Sequence, residues 1–125
     1  MRYREINPNP VGKRVGDCAV RAVALATNQS WDEAYIELCV LGLKMGDMPN
    51  ANAVWGMFLK KQGFKKSAVI PDDEPTTIEK FCEEHKRGTF VIAVSEHVVC
   101  VKDGYYLDAW DSGQCVPLYY WYRED

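Results

Sequence analysis

An Asp-Gly pair set between two β-prone runs constrains this chain more than any other stretch of it. In Glu96-His97-Val98-Val99-Cys100-Val101-Lys102-Asp103-Gly104-Tyr105-Tyr106-Leu107-Asp108-Ala109-Trp110-Asp111, segments rich in Val, Tyr and Trp flank Asp103-Gly104. That is the composition and turn chemistry of a two-residue hairpin. With Asp103 and Gly104 as the turn, Lys102 faces Tyr105, Val99 faces Asp108 and His97 faces Trp110. Side chains alternate along a strand, so His97, Val99 and Val101 share a face with Tyr106, Asp108 and Trp110. Diagonal neighbours on such a face lie roughly 7–8 Å apart at the backbone, within reach of side chains. The hairpin therefore sets an imidazole beside a carboxylate that can orient it. Asp111 falls on the opposite face of a regular strand, and only a bulge would exchange it for Asp108.

The rest of the chain reads as helices followed by strands. Residues 1–16, with Asn7-Pro8-Asn9-Pro10 and two glycines, form an extended lead-in. Asp17 then caps a helix over Cys18–Thr27, rich in Ala and apolar nearly all round, as a buried central helix is. Ser30 and Glu33 make a capping box for a helix running to Met45, with Gly46 as its stop. A third helix spans Ala51–Lys61, and a short strand Phe64–Ile70 runs into a turn over Pro71–Pro75. A second capping box, Thr76-Thr77-Ile78-Glu79, opens a helix to Lys86. Strands then follow at 89–95, 97–102, 105–110 and 116–122. Helices first and an antiparallel sheet afterwards is the α+β pattern, and one domain spanning 1–125 is expected.

Composition narrows the class of function. A net charge of −3 with 26% charged residues gives no basic surface for nucleic acid. No stretch approaches the ~20 apolar residues of a membrane span, and the basic N-terminus lacks the apolar run of a signal peptide. Five cysteines, an odd number without paired spacing, suit the reducing cytoplasm rather than a disulfide framework. With no C-x-x-C and only His85 and His97 as histidines, neither a structural metal nor a cofactor is implied. His85, in a charged helix tail, reads as a partner of the helix C-terminus.

Cys18 supplies what the hairpin lacks. A thiol at the first position of a helix meets the positive end of the macrodipole and free N–H groups, both of which favour the thiolate. Each member also has a plain reading: Cys18 as a small core residue, His97 as a packed histidine, Asp108 as an exposed carboxylate. Cys39, Cys82, Cys100 and Cys115 lie inside elements without such placement and read as core thiols.

A thiol on a buried helix, then His on a strand, then Asp on the next strand, resembles the papain-like cysteine peptidases. The motifs carrying the resemblance are Gly16-Asp17-Cys18, Glu96-His97-Val98-Val99 and Tyr106-Leu107-Asp108-Ala109-Trp110-Asp111. It is similar above all to the compact papain-like proteins of bacterial genomes and prophages. The resemblance implies a nucleophile helix packed on a C-terminal antiparallel sheet and a Cys18–His97–Asp108 triad. The chain departs from the family pattern where Ala19-Val20 follow the cysteine and where Gly12 stands in place of an oxyanion-binding Gln. Asn7 or Asn9 can fold back to donate instead, Asn7 being the oxyanion candidate chosen. Trp110, opposite His97, is the candidate to roof the cleft.

The function expected on this basis is a cysteine-dependent hydrolase of peptide, isopeptide or amide bonds, acting through a thioester. Two alternatives share its signals: a catalytically silent domain that binds a partner, and an acyltransferase with the same triad. A peptide or protein substrate and a monomer are expected. The aromatic run Tyr119-Tyr120-Trp121-Tyr122 is either a partner surface or a half-buried strand.

Overall fold

The computed structural model describes residues 2–69 and 76–124. Its elements in chain order are β1 (Tyr3–Glu5), α1 (Cys18–Ala26), α2 (Trp31–Met45), α3 (Asn52–Lys61), β2 (Lys65–Ala68), α4 (Ile78–Glu84), β3 (Thr89–Val94), β4 (His97–Lys102), β5 (Tyr105–Asp108) and β6 (Tyr119–Arg123). The chain is thus mixed α+β, with four helices and an open six-stranded sheet of order β1-β5-β4-β3-β6-β2.

The near-continuous apolar run of β3 marks a strand covered on both faces, and all six of its residues are buried. It pairs antiparallel with β4, directly from Val94–His97 to Thr89–Lys102, and with β6 on its other side. The Asp103-Gly104 hairpin forms in the expected register, with Lys102 opposite Tyr105, Val101 opposite Tyr106 and Cys100 opposite Leu107. Both turn residues have positive φ, 48° and 82°, as a primed hairpin turn requires.

Helices cover both faces of the sheet. On one, α1, α2 and α3 bury Ala22, Val23, Leu38, Trp55 and Leu59 against Val91, Val98 and Cys100. On the other, Ile78, Phe81 and Cys82 of α4 pack on Phe90, Ile92, Val99, Val101 and Tyr106. The all-round apolar character of α1 has its reason here: Ala19 through Ala24 and Ala26 are all buried. Burying a Val or Leu side chain in this way is worth roughly 1.5–3 kcal/mol. The Ser30–Glu33 capping box forms reciprocally, and Gly46 ends α2 in the left-handed region.

Several boundaries differ from the sequence reading, each for a local reason. The lead-in is not uniformly irregular: β1 adds to the sheet edge, parallel to β5. Three residues on a parallel edge are too few to leave a periodic trace. Asp17 precedes α1 but makes no side-chain cap, its carboxylate being engaged elsewhere. The second capping box does not close, because Thr77 and not Thr76 is the N-cap: its side chain accepts from the N–H of Lys80, which takes the position a Glu or Gln would need, and Glu79 accepts from the backbone N–H of Arg2 (3.0 Å). α4 stops at Glu84, where His85 caps it with Nδ1 against the carbonyl of Phe81 (2.9 Å). β5 ends at Asp108 instead of Trp110, and β6 begins at Tyr119 instead of Val116. Ile70 and the Pro71–Pro75 turn lie outside the described residues. No helix among the described residues is long and apolar enough to cross a membrane.

The loop after β5 returns tightly over Tyr106. A Cβ at Gly113 would lie 2.3 Å from the Tyr106 hydroxyl and 2.9 Å from its ring. Tyr106 is 1% exposed and donates to Asp111 at 2.6 Å, so it has nowhere to move. Gly113→Ala is expected to destabilise the fold by about 2 kcal/mol. Urea unfolding would show this as a lower midpoint at constant slope, and an unshifted midpoint would contradict the packing described.

Candidate active site

Cys18 is the first residue of α1, His97 the first of β4 and Asp108 the last of β5. By strand alternation His97 and Asp108 belong to the face of Val99, Val101 and Tyr106, which α4 covers, whereas α1 lies on the opposite face. The three meet because each stands at an element terminus at one end of the sheet.

Their contacts form a chain. His97 Nε2 lies 2.7 Å from Asp108 Oδ2, which leaves Nδ1 as the ring nitrogen that can face the thiol. Cys18 and His97 line the same two cavities, and His97 together with the backbone of Val98 favours the charged form of the Cys18 sulfur. Burial disfavours a charged imidazole, but the hydrogen bonds and charges of Asp108 and Cys18 outweigh it and lift the His97 pKa to about 9. Burial also opposes a thiolate; the hydrogen bond and charge of His97, the Val98 N–H and the Arg21 charge outweigh it and bring Cys18 below the ordinary thiol range. Both shifts favour a thiolate–imidazolium pair. Because Asp17 does not cap α1, the first-turn N–H groups also keep their positive end for the sulfur and for an oxyanion.

Asp108 is held on all sides. Oδ1 accepts from Ala109 N (2.8 Å) and Arg21 Nη2 (3.2 Å), and Oδ2 accepts from Ser112 Oγ (2.6 Å) besides His97. Burial raises its pKa, but the hydrogen bonds from His97, Ser112 and Ala109 and the His97 charge hold it below the ordinary carboxylate range. These bonds also explain why β5 stops: Asp108 satisfies its own next N–H and draws the chain into a turn. Asp111 takes the other direction, accepting from Tyr106 and Gly113. Asp108, and not Asp111, is the carboxylate bonded to His97.

Arg21 is the member of this buried network that the sequence reading overlooked. Its side chain is 8% exposed and pairs with Asp108 and, one helical turn back, with Asp17. Asp17 in turn accepts from Trp31 Nε1 (2.9 Å) and Asn9 Nδ2 (3.3 Å). A signal was available: Arg21 is the lone charge in Cys18–Ala26, spaced four residues from Asp17. Ser112, in the loop after β5, offered none.

Two cavities flank the triad. One of about 410 Å³ is lined by Asn7, Arg14, Val15, Arg21 and Trp110, and one of about 250 Å³ by Asn50, Asn52, Leu118 and Tyr119; Cys18, Glu96 and His97 line both. Asn7 thus shares a cavity with Cys18. Its Oδ1 accepts from Asn9 N (3.1 Å), leaving its amide N–H groups as donors. Asn9 is buried with its amide committed to Asp17 and Lys13, which removes it as the alternative. Trp110 is not paired with His97 in the ladder, yet its ring covers the imidazole at 4.5 Å between centroids. Being 43% exposed, it forms a wall of the cavity and not a core residue.

No family model matches this chain, and no curated protein or solved structure matches it either. The geometry of the site carries the functional reading on its own.

Two outcomes test this description. Arg21→Met leaves Asp17 and Asp108 buried without their cation, and should cost about 3 kcal/mol or more in urea unfolding; a loss below about 1 kcal/mol would contradict the network. A His97 pKa raised to about 9 implies stability that is complete below the unfolded imidazole value and lost as pH rises through about 9. NMR titration of the His97 ring should follow that midpoint, moving down in Asp108→Asn; a midpoint near 6.5 in both proteins would refute the coupling.

Proposed function

We propose that this chain is a cysteine-dependent hydrolase that cleaves a peptide, isopeptide or other amide bond through a thioester on Cys18. The observation that carries the reading is His97 bonded to a buried, fully satisfied Asp108 and facing the same two cavities as Cys18. The thiolate attacks the carbonyl carbon, and the negative charge moves to the oxygen, for which the Cys18 N–H and the Asn7 amide, on the same cavity, are the donors of this proposal. As the C–N bond breaks, imidazolium His97 gives its proton to the departing amine. Water then attacks the thioester, His97 takes its proton, and the C–S bond breaks to release the acid and restore the thiolate. Asp108 fixes the tautomer and stabilises the charged ring throughout.

The same features support a place among the papain-like cysteine peptidases. Chain order, the buried nucleophile helix and the two antiparallel strands bearing His and Asp all accord with it. The small size fits a cleft with one abbreviated wall, here built from the lead-in and the loops around Asn50 and Leu118. On this reading the substrate is a peptide or protein and the enzyme needs no metal or cofactor.

Iodoacetamide at about pH 6, with peptide mapping, tests the proposal. Cys18 should alkylate at least about tenfold faster than Cys39, Cys82, Cys100 or Cys115, and His97→Ala should remove that advantage. Uniformly slow labelling, or labelling indifferent to His97→Ala, would leave a silent binding domain as the better description.

A further inference from the structure

The turn joining β3 to β4 consists of Ser95 and Glu96 alone, since Val94 pairs directly with His97. Its second residue, Glu96, adopts φ of 56°, the left-handed region that Gly or Asn ordinarily fills. At the equivalent point of the neighbouring hairpin the chain has Gly104. A strained carboxylate therefore stands immediately before the catalytic His97, and strain of this kind gathers at functional sites.

Glu96 is exposed, and among the described residues it has no hydrogen bond or ion pair. It lines both cavities that meet at Cys18. Their charges differ. The larger is faced by Arg14 as well as by Arg21, whose charge is committed to Asp17 and Asp108. No Lys or Arg lines the smaller, where Glu96 is the lone acid among Asn50, Asn52, Val94, Leu118 and Tyr119. A thiolate–imidazolium pair is neutral overall, and Lys66 stands over the Tyr119 ring (4.5 Å) without lining the cavity, so among the described residues Glu96 is the net charge that lines it.

Building on the hydrolase reading, we propose that Glu96 is a specificity determinant and that the smaller cavity takes a cationic substrate side chain, lysine or arginine. The aliphatic stem lies along Val94, Leu118 and the Tyr119 ring, and the charged head reaches Glu96, the arrangement long basic side chains favour. The strained turn is kept because Gly or Asn at this point would relax the backbone and lose the charge.

The test needs no known substrate. Cationic aminoethyl, anionic sulfonatoethyl and neutral methyl methanethiosulfonates are each reacted with the protein, and modification of Cys18 is followed by mass spectrometry. The cation-to-anion rate ratio at Cys18 should fall roughly three- to fivefold in Glu96→Gln, the yield of an exposed ion pair, and fall further in Glu96→Lys. The ratios at the half-buried Cys39 and Cys115 should stay constant. An unchanged ratio at Cys18 in both variants overturns the proposal, whatever the absolute rate. Failure of the hydrolase reading shows separately, as a Cys18 no faster than Cys39 toward the neutral reagent in wild type and His97→Ala alike.

Discussion

Asp108 is 3% exposed, and its two carboxylate oxygens receive four hydrogen bonds, from Ala109, Arg21, Ser112 and His97. A buried charge is tolerated only where partners replace the water it has lost. Meeting that requirement draws in most of the molecule. Arg21 brings α1, His97 brings β4, and Ser112 brings the loop after β5. The backbone carbonyl of Asp108 accepts from Ile6 N and from the Tyr3 hydroxyl, which docks the lead-in strand. The site and the sheet edge are thus one structure, and the residue that stops β5 is the residue that orients the imidazole.

The surroundings of Cys18 depend on a second constraint, the diversion of Asp17. An aspartate before a helix normally caps it. Here its carboxylate is held by Arg21, Trp31 and Asn9, so it serves the Arg21 network and leaves the helix start unoccupied. The first-turn N–H groups of α1 are left without a side-chain cap. An acid that would oppose a thiolate is neutralised by the same arginine that steadies Asp108. The residue preceding the cysteine therefore contributes through where its charge goes.

How much of this was legible in the sequence depended on whether the cause was local. The Asp103-Gly104 turn fixes register by itself, and register alone placed His97 against Asp108. The Ser30–Glu33 box and the apolar α1 were equally local. What stayed hidden was set by distant partners. Glu79 accepts from the backbone of Arg2, a residue far away in the chain. β1 exists because β5 offers it an edge. Arg21 reads as a helix residue until both carboxylates are seen around it. Trp110 was placed opposite His97 for a reason the structure replaces, since the strand ends before it and the ring reaches the imidazole from a turn.

His97 and Asp108 are held here to lower the pKa of Cys18 below that of an ordinary thiol, and the thiolate can be observed directly. Its ultraviolet absorbance would be followed against pH, with Cys18→Ala as the blank. The account predicts a midpoint below that of an ordinary thiol, returning toward the ordinary value in His97→Ala. A Cys18 that titrates as an ordinary thiol in both proteins would contradict it.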